Sequence, residues 1–215
     1  MQQPRTKKAY PPPNRDPILV FADVETTGLN SYRNGIWQVS FCIVDTRFEK
    51  DTWFDMRVKP FPDDEWDDKA IELSGITPAD AKSFSDPIGA YQRIINIFSE
   101  HVDRYNYMDK MTFLGWNAEF DEAMLREWWK KCDLKEGVYF GSWFHMPPID
   151  VAGLAHLVLL RDRLKREGPE NFQLGTVAKY LGVEVDEECL HDSLYDVELT
   201  REIYNVVTRR MKGGE

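Results

Sequence analysis

Two carboxylic acids, Asp23 and Glu25, carry the clearest chemical signal in the sequence. They stand at the end of an apolar run over residues 18–24, whose length and polar boundaries predict a buried strand. Residues two apart on a strand point to the same face, so the two carboxylates lie side by side and repel each other. Hard divalent cations such as Mg²⁺ or Mn²⁺ relieve this repulsion through oxygen ligands. The pair therefore predicts a metal site at the end of the strand.

A second candidate residue, Asp121, ends the string Gly-Trp-Asn-Ala-Glu-Phe-Asp. A predicted strand at residues 111–116 precedes it, and an amphipathic helix at residues 119–131 follows. Asp121 thus lies in the first helical turn, where the helix dipole alone favours a negative charge. Its position leaves open both a structural role and a role as a metal ligand.

A third string, His-Asp-Ser-Leu-Tyr-Asp, places His191 in a loop and Asp196 in the first turn of the last predicted helix. A lone histidine ahead of a helix is usually structural. Near metal-binding carboxylates it has a second use, because an ordinary imidazole titrates at about pH 6.5 and accepts a proton from water above that pH. His191 is therefore a candidate general base.

The elements that must position these residues follow an α/β order. Three strands come first, at residues 18–24, 36–44 and 53–58, and their short polar links favour an antiparallel meander. Helices then alternate with a fourth strand at residues 111–116. Helices are predicted at residues 67–74, 87–102, 119–131, 151–166, 174–181 and 193–210, the first of them capped by Asp67.

Residues 135–148 are aromatic and glycine-rich and contain two prolines, so we expect a loop or a small hairpin insertion there. Residues 149–150 are expected to close a short strand. The aromatic side chains of the insertion are Tyr139, Phe140, Trp143 and Phe144. They either form a hydrophobic flap packed onto the domain, or they stack on single-stranded bases or bind a partner.

Together the three strings resemble the DnaQ-like (DEDDh) family of 3′→5′ exonucleases, which has an RNase H-like fold. The resemblance spans about residues 18–208 and includes the runs at 73–78 and 174–182. It implies an α/β fold with a mixed five-stranded sheet flanked by helices. We expect this domain at residues 17–210, between a basic, proline-rich and flexible arm at residues 1–16 and a short tail at residues 211–215.

The resemblance also implies roles for single residues. It makes His191 the general base of the histidine variant, and it implies two Mg²⁺ or Mn²⁺ ions held by Asp23, Glu25, Asp121 and Asp196. The residues expected to hold the terminal nucleotide are Thr26, Thr27, Leu29, Asn117 and Phe120.

Two positions depart from the family pattern. Trp116 stands where relatives often carry a histidine, which alters base stacking rather than the metal site. Gln38 replaces a glutamate common on the second strand, which changes the field around the site. Asp150 matches an aspartate frequent in the family, and we interpret it as structural.

The implied activity is the release of nucleoside 5′-monophosphates from a 3′ end. We favour single-stranded DNA, in proofreading or end trimming, because residues 71–80 resemble polymerase-associated proofreading domains. A DNA polymerase or another replication or repair protein is then the candidate partner. Two alternatives stay open: an exoribonuclease that trims RNA ends or short oligoribonucleotides, and a catalytically silent nucleic-acid-binding or polymerase-associated module of the same fold.

Composition limits the other classes of function. The 215 residues hold 27 Lys and Arg against 37 Asp and Glu, and the formal net charge of −10 disfavours a cationic coat for nucleic acid. A site that binds the end of a nucleic-acid strand through metal ions does not need such a cationic surface. Three widely spaced cysteines disfavour disulfides and structural zinc. Because the sequence has no apolar run of the roughly 20 residues that a membrane helix needs, we expect a cytoplasmic location without membrane contact.

Overall fold

Strand β1, Leu19–Thr26, lies at the centre of the sheet and carries the first two acids. The computed structural model describes residues 13–133 and 138–213. Within them, the other strands are β2 (Ile36–Val44), β3 (Thr52–Arg57), β4 (Met111–Gly115) and β5 (Phe144–Asp150). The five strands pair in the order β3-β2-β1-β4-β5. β1 is antiparallel to β2, and β2 to β3, whereas β4 is parallel to β1 and to β5. The predicted mixed sheet is therefore confirmed.

Helices cover both faces of this sheet, and each bound lies within two residues of its prediction. The helices are α1 (Asp68–Ser74), α2 (Pro87–His101), α3 (Ala118–Cys132), α4 (Val151–Leu164), α5 (Leu174–Tyr180) and α6 (Ser193–Met211). Asp86 caps α2 by accepting a hydrogen bond from the Gly89 N–H at 2.8 Å, and Pro87 suits its first turn. Asp67 occupies the N-cap position of α1, but its side chain makes no capping hydrogen bond to the described residues.

Alternation of side chains along β1 divides the core into two layers. Ala22 and Val24 pack with α2 and α3 on one face of the sheet, whereas Phe21 packs with α4, α5 and α6 on the other. Because a strand has a period of two residues, Asp23 and Glu25 share the face of Phe21. The strand thus directs both acids toward α6.

The segment predicted to be a loop or a small hairpin contains most of an edge strand of the main sheet, so that prediction is wrong there. β5 runs beside β4, with Met111 opposite Phe144 and Gly115 opposite Asp150. Its two prolines cannot donate ladder hydrogen bonds, and the register shifts where they occur. The sheet tolerates them because β5 has a neighbour on one side only.

The aromatic residues ahead of β5 belong to the core. Phe140 and Trp143 are buried, with ring centroids 5.4 Å from Trp129 and 5.7 Å from Phe98, respectively. Tyr139 is exposed. Packing onto the domain, as expected for these aromatic residues, is observed for Phe140, Trp143 and Phe144, which lie in the core rather than in a separate flap. Residues 135–137 lie outside the described residues.

Most of the predicted arm lies outside the described residues, because the structure describes the chain from residue 13. At its end, Arg15 forms an ion pair with Asp109, and the Thr46 hydroxyl donates to Asp16 at 3.3 Å. Across the two described ranges, no helix combines the length and the apolar character needed to cross a membrane. The limits proposed for arm, domain and tail stay predictions.

Candidate active site

The two acids at the end of β1 meet a third acid from the last helix. One carboxylate oxygen each from Asp23, Glu25 and Asp196 lies within 4.8 Å of the others. All three residues are partly buried. We call these three residues the acidic cluster.

The first turn of α6 is held by its own cap. Asp192 is the N-cap residue, and its carboxylate accepts hydrogen bonds from the N–H groups of Leu194 at 3.1 Å and Tyr195 at 3.4 Å. This cap satisfies two of the free N–H groups at the helix start. It fixes the helix start and therefore the position of Asp196 one turn further on.

Polar side chains of β2 bind this same turn. The Oγ atoms of Ser40 and Ser193 lie 2.5 Å apart, and both residues are buried. Gln38 donates from Nε2 to Asp55 at 2.9 Å and to Asp192 at 3.3 Å. An amide suits this place because it donates to two carboxylates, whereas a glutamate would repel both.

Asp121 reaches the same end of β1 from the other face of the sheet. It lies in the first turn of α3, is 2% exposed, and accepts a hydrogen bond from the Val24 N–H at 3.2 Å. Its charge contributes to the raised pKa values of Asp23 and Glu25. Asp121 therefore adjoins the acidic cluster, and the fold brings the four acids of the expected ligand set to one strand end.

Burial and repulsion shift the titration of these acids toward neutral pH. Burial, assisted by the neighbouring negative charges, raises the pKa of Glu25 and of Asp121 to about 8 and that of Asp196 to about 6. The pKa of Asp23 also rises well above its usual range, first through burial and then through the charge of Asp121. Asp192 adds to the repulsion on Asp23, Glu25 and Asp196.

These residues fit divalent cations. Their donors are carboxylate oxygens, which hard cations prefer. Oδ1 of Asp196 is buried and has no hydrogen-bond partner among the described residues, an arrangement that a bound cation would satisfy. A cation would also remove the repulsion that raises the pKa values of the cluster.

His191 lies at the mouth of the site, in the loop ahead of α6. Its side chain is exposed, and its backbone has a φ of 70°, in the left-handed region that few non-glycine residues adopt. Interaction with His191 lowers the pKa of Asp196 and opposes the effect of burial. The histidine is therefore within electrostatic reach of the acidic cluster while open to solvent.

A first cleft of about 720 Å³ opens beside Glu25 and runs to α1. Three of the residues predicted to hold a nucleotide line it, namely Thr26, Leu29 and Phe120. Leu29 is 83% exposed, so its apolar side chain is free to contact a ligand. The volume is typical of small-ligand sites.

The other two residues predicted to hold the nucleotide lie elsewhere. Thr27 is fully buried, and its hydroxyl donates to the Glu65 carbonyl at 2.6 Å and accepts from the Gly35 N–H at 2.8 Å. It therefore holds the turn after β1. Asn117 has a left-handed φ of 66° and lines a second cleft, which lies beside Asp23.

Asp150 holds the end of β4 and the start of α4 together. Its carboxylate accepts hydrogen bonds from the N–H groups of Asn117 at 2.9 Å, Ala152 at 3.2 Å and Gly153 at 3.1 Å. These contacts support the structural role expected for it from the sequence.

Several residues that line the two clefts were not predicted from the sequence. Lys69 and Leu73 lie four residues apart on α1 and line the first cleft, whereas Phe172 and Lys179 line the second. The helical spacing of Lys69 and Leu73 is a weak signal, since any amphipathic surface helix shows it. Lys179 lies in the run at residues 174–182 that carries the family resemblance, but only folding brings this run and Phe172 beside Asp23.

A family model of exonucleases, RNase_T, matches residues 20–204, which is most of the chain. The chain therefore belongs to this exonuclease family, and the DnaQ-like class of 3′→5′ exonucleases with an RNase H-like fold, predicted from the three strings, is confirmed. Members of this class hydrolyse phosphodiester bonds of nucleic acids, so the protein is an enzyme.

Among curated proteins, the chain is similar to ribonuclease T of Shewanella. It is 23% identical to the protein of Shewanella sp. strain MR-4 over 203 residues, which cover 91% of this chain and 83% of that one. The protein of Shewanella oneidensis matches at the same identity and coverage.

Among solved structures, the fold is similar to that of exonuclease I. The Escherichia coli enzyme in complex with a dT13 oligonucleotide superposes with a TM-score of 0.68 at 22% identity, covering 92% of this chain and 42% of that one. The enzyme of Methylocaldum szegediense gives a TM-score of 0.66 at 21% identity, covering 92% and 41%. This chain thus spans about two fifths of the exonuclease I chains, and at these identities the likeness shows the fold.

Proposed function

We propose that the protein is a metal-dependent 3′→5′ exonuclease that removes nucleotides from the single-stranded 3′ end of DNA, in proofreading or end trimming. The products are nucleoside 5′-monophosphates. The observation that carries the proposal is the acidic cluster within 4.8 Å, with Asp121 adjoining it and an exposed histidine at its mouth.

Asp23, Glu25, Asp121 and Asp196 are proposed to hold two divalent cations, either Mg²⁺ or Mn²⁺. Their formal charge of −4 matches that of two such ions with the sign reversed. When bound, the cations supply the Lewis acidity that activates a water molecule and neutralises charge on the phosphate oxygens.

The protein residues then position the substrate and move the proton. His191 takes the proton from the attacking water, a task that suits an exposed imidazole within electrostatic reach of Asp196. Leu29 and Phe120 offer apolar surface to the terminal base, and Thr26 completes that wall with its hydroxyl bonded to the Gly28 carbonyl at 2.8 Å. Thr27 acts indirectly by holding the turn, and Asn117 contributes from the second cleft.

DNA is the first candidate substrate, because the solved complexes of the similar fold contain oligonucleotides such as dT13. RNA is the second, because the ribonuclease T proteins align over 83% of their length, a larger share than in exonuclease I. Discrimination depends on contact with the 2′-hydroxyl. A comparison of the two polymers is therefore the decisive experiment.

The test uses 5′-labelled DNA and RNA oligomers of one sequence, with and without Mg²⁺, followed as a time course on a gel. The wild type should shorten the DNA from its 3′ end, and chelation of the metal should stop the reaction. Glu25→Gln should abolish hydrolysis, whereas Glu49→Gln, an exposed acid in the β2–β3 link at the opposite end of the sheet, should keep it.

Each other outcome has a distinct meaning. Faster loss of RNA than DNA would support the exoribonuclease. A protein that degrades neither polymer would support the silent binding module, and metal-independent hydrolysis would overturn the assignment of the acids. A 3′-phosphorylated DNA oligomer identifies the attacked end, since a free 3′ terminus should react faster.

A DNA polymerase or another replication or repair protein remains the proposed partner, and co-purification from the native cell would test this. One exonuclease I structure contains the C-terminal segment of SSB, so single-strand binding proteins belong among the candidates. The cytoplasmic location likewise stays a prediction, checked by cell fractionation.

A further inference from the structure

The acidic cluster lies between two clefts. The first cleft includes Glu25, and the second, of about 640 Å³, includes Asp23 and Asp196. His191 lines both, so the two clefts meet at the mouth of the site. A nucleic-acid strand that crosses the acidic cluster can therefore bind in one cleft on each side of it.

A phosphodiester joins two nucleosides, and a phosphate held at the cluster places one nucleoside on each side. The proposed function assigns the terminal nucleoside to the first cleft. The second cleft is then the place for the nucleoside on the 5′ side of the scissile bond, and for the strand that continues from it.

The second cleft has the chemistry that single-stranded nucleic acid requires. Trp116 and Phe172 line it as half-buried aromatic side chains, and the Lys179 ammonium lies at its edge. Aromatic faces that stack on bases, together with cations along the backbone, are how proteins bind single strands. Lys179 pairs with Glu187, but both side chains are at least half exposed, so exchange of this partner for a phosphate costs little.

Positive charge continues beyond the cleft. The guanidinium of Arg163 lies 5.2 Å from the ring centroid of Phe172. Arg163 belongs to a segment at the end of α4, residues 161–167, in which four basic residues stand against the two acids Asp162 and Glu167. The basic side chains are all exposed, namely Arg161, Arg163, Lys165 and Arg166. In a chain of net charge −10, such a segment beside the site is suited to a polyanion.

We propose that the second cleft binds the strand on the 5′ side of the scissile bond. The base of the penultimate nucleotide lies against Trp116 and Phe172, and the 5′ phosphate of that nucleotide lies near Lys179. The strand then continues over Arg163 toward the end of α4. This proposal rests on the proposed function and adds a substrate path to it.

Two substrates distinguish binding of the strand in the second cleft from hydrolysis at the acidic cluster. The first is a single-stranded DNA oligomer, and the second is the p-nitrophenyl ester of thymidine 5′-monophosphate, which has the terminal nucleotide but no nucleoside on its 5′ side. Lys179→Gln and Phe172→Leu should each raise the KM for the oligomer about tenfold. Both should change kcat/KM for the ester less than twofold. The leucine keeps an apolar side chain beside His156 and removes the aromatic face.

Matched controls lie at the far end of the sheet. Lys50→Gln removes an exposed lysine of the β2–β3 link, and Tyr105→Leu removes an exposed aromatic ring ahead of β4. Neither should alter the KM for the oligomer. An equal loss on oligomer and ester for the cleft variants would indicate general damage and overturn the proposal, as would an unchanged KM for the oligomer.

The salt dependence of KM gives a second readout, which a purely structural role of Lys179 would not change. Loss of one phosphate contact should lower the slope of log KM against log salt by about 0.7 for Lys179→Gln. An unchanged slope would contradict the contact. If the wild type hydrolyses neither substrate, the proposed function fails, and anisotropy of a labelled DNA oligomer then decides the path alone. About tenfold weaker binding by the cleft variants would support it, and unchanged binding would overturn it.

Discussion

At the scale of single residues, the candidate site is a set of like charges held together against their repulsion. Burial raises the pKa of Glu25 and Asp121 to about 8, far above the ordinary range of carboxylic acids. A fold retains such a cluster only where something compensates for it, and cations of high charge do so most directly. Among the described residues that line the two clefts, three have basic side chains: His191, which lines both clefts, Lys69 in the first and Lys179 in the second.

His191→Ala should lower kcat by about 10²–10⁴-fold, because the attacking water loses its general base. The fold should be unaffected, since the side chain is exposed. Steady-state kinetics with Mg²⁺ measure the effect, and added imidazole should restore part of it. His145→Ala, an exposed histidine of the edge strand, serves as the control. A variant at position 191 with wild-type kcat would rule out this role.

At the scale of elements, the position of Asp196 depends on how α6 is held against β2. The Ser40–Ser193 contact and the donation from Gln38 to Asp192 join the two elements inside the protein. Removal of one partner of a buried hydrogen bond is costly, because the other partner is left unsatisfied. Substitutions on β2 should therefore alter the position of Asp196 by shifting the start of α6.

Gln38→Glu should destabilise the protein by about 1–3 kcal/mol, because two donated hydrogen bonds are replaced by repulsion from Asp55 and Asp192. Activity should fall as well, since the start of α6 shifts. Urea unfolding and kcat measure the two effects. Gln38→Met, which loses the donors without adding charge, should be less harmful. Equal stability of the glutamate variant and the wild type would contradict the network.

Asp150→Ala should cost about 1–2 kcal/mol, because α4 loses its cap and the Asn117 N–H loses its acceptor. Asp150→Asn keeps the acceptor oxygen that binds Asn117 and should recover most of the stability. Thermal unfolding of both variants compares them with the wild type. Loss of metal binding with unchanged stability would instead identify Asp150 as a ligand.

At the scale of the whole molecule, the negative net charge is compatible with an enzyme that acts on nucleic acid because of where the acidic residues lie. The chain carries a net charge of −10, yet its acids at the site are grouped where bound cations would neutralise them. Metal-free and metal-bound protein should therefore differ in stability, and the difference should depend on pH.

The free energy of unfolding of the metal-free protein should contain a contribution that falls as pH rises from about 4.5 to about 8. Glu25 titrates at about 8 when folded, against 4.5 in its ordinary state, so the folded state holds a proton that the unfolded chain releases. Thermal unfolding in chelator at about pH 5.5 and about pH 8 tests this sign. Millimolar Mg²⁺ or Mn²⁺ should raise Tm more at the higher pH.

Glu25→Gln should flatten this dependence and raise the stability of the metal-free protein at about pH 8, since one repelling charge is gone. Glu49→Gln should leave it unchanged. An equal Tm gain from metal at both pH values would contradict coupling between the acids and the cation.

The sequence by itself determined most of the elements and the residue types of the candidate site. Apolar periodicity and caps are local properties, so the helices and the strands β1 to β4 were predictable to within about two residues. The three strings supplied the acids and the histidine in the same way. Only the end of β5, at residues 149–150, was expected, because an exposed edge strand with two prolines lacks the pattern of a buried strand.

Only the tertiary structure decided which of these residues meet. That Thr27 is buried, that Asn117 faces the second cleft, and that α5 brings Lys179 to the site all depend on packing between distant segments. Spacing along the chain specifies direction within one strand or helix, but not the distance between two of them. The raised pKa values have the same origin, because burial and the approach of charges from β1, α3 and α6 exist only in the folded protein.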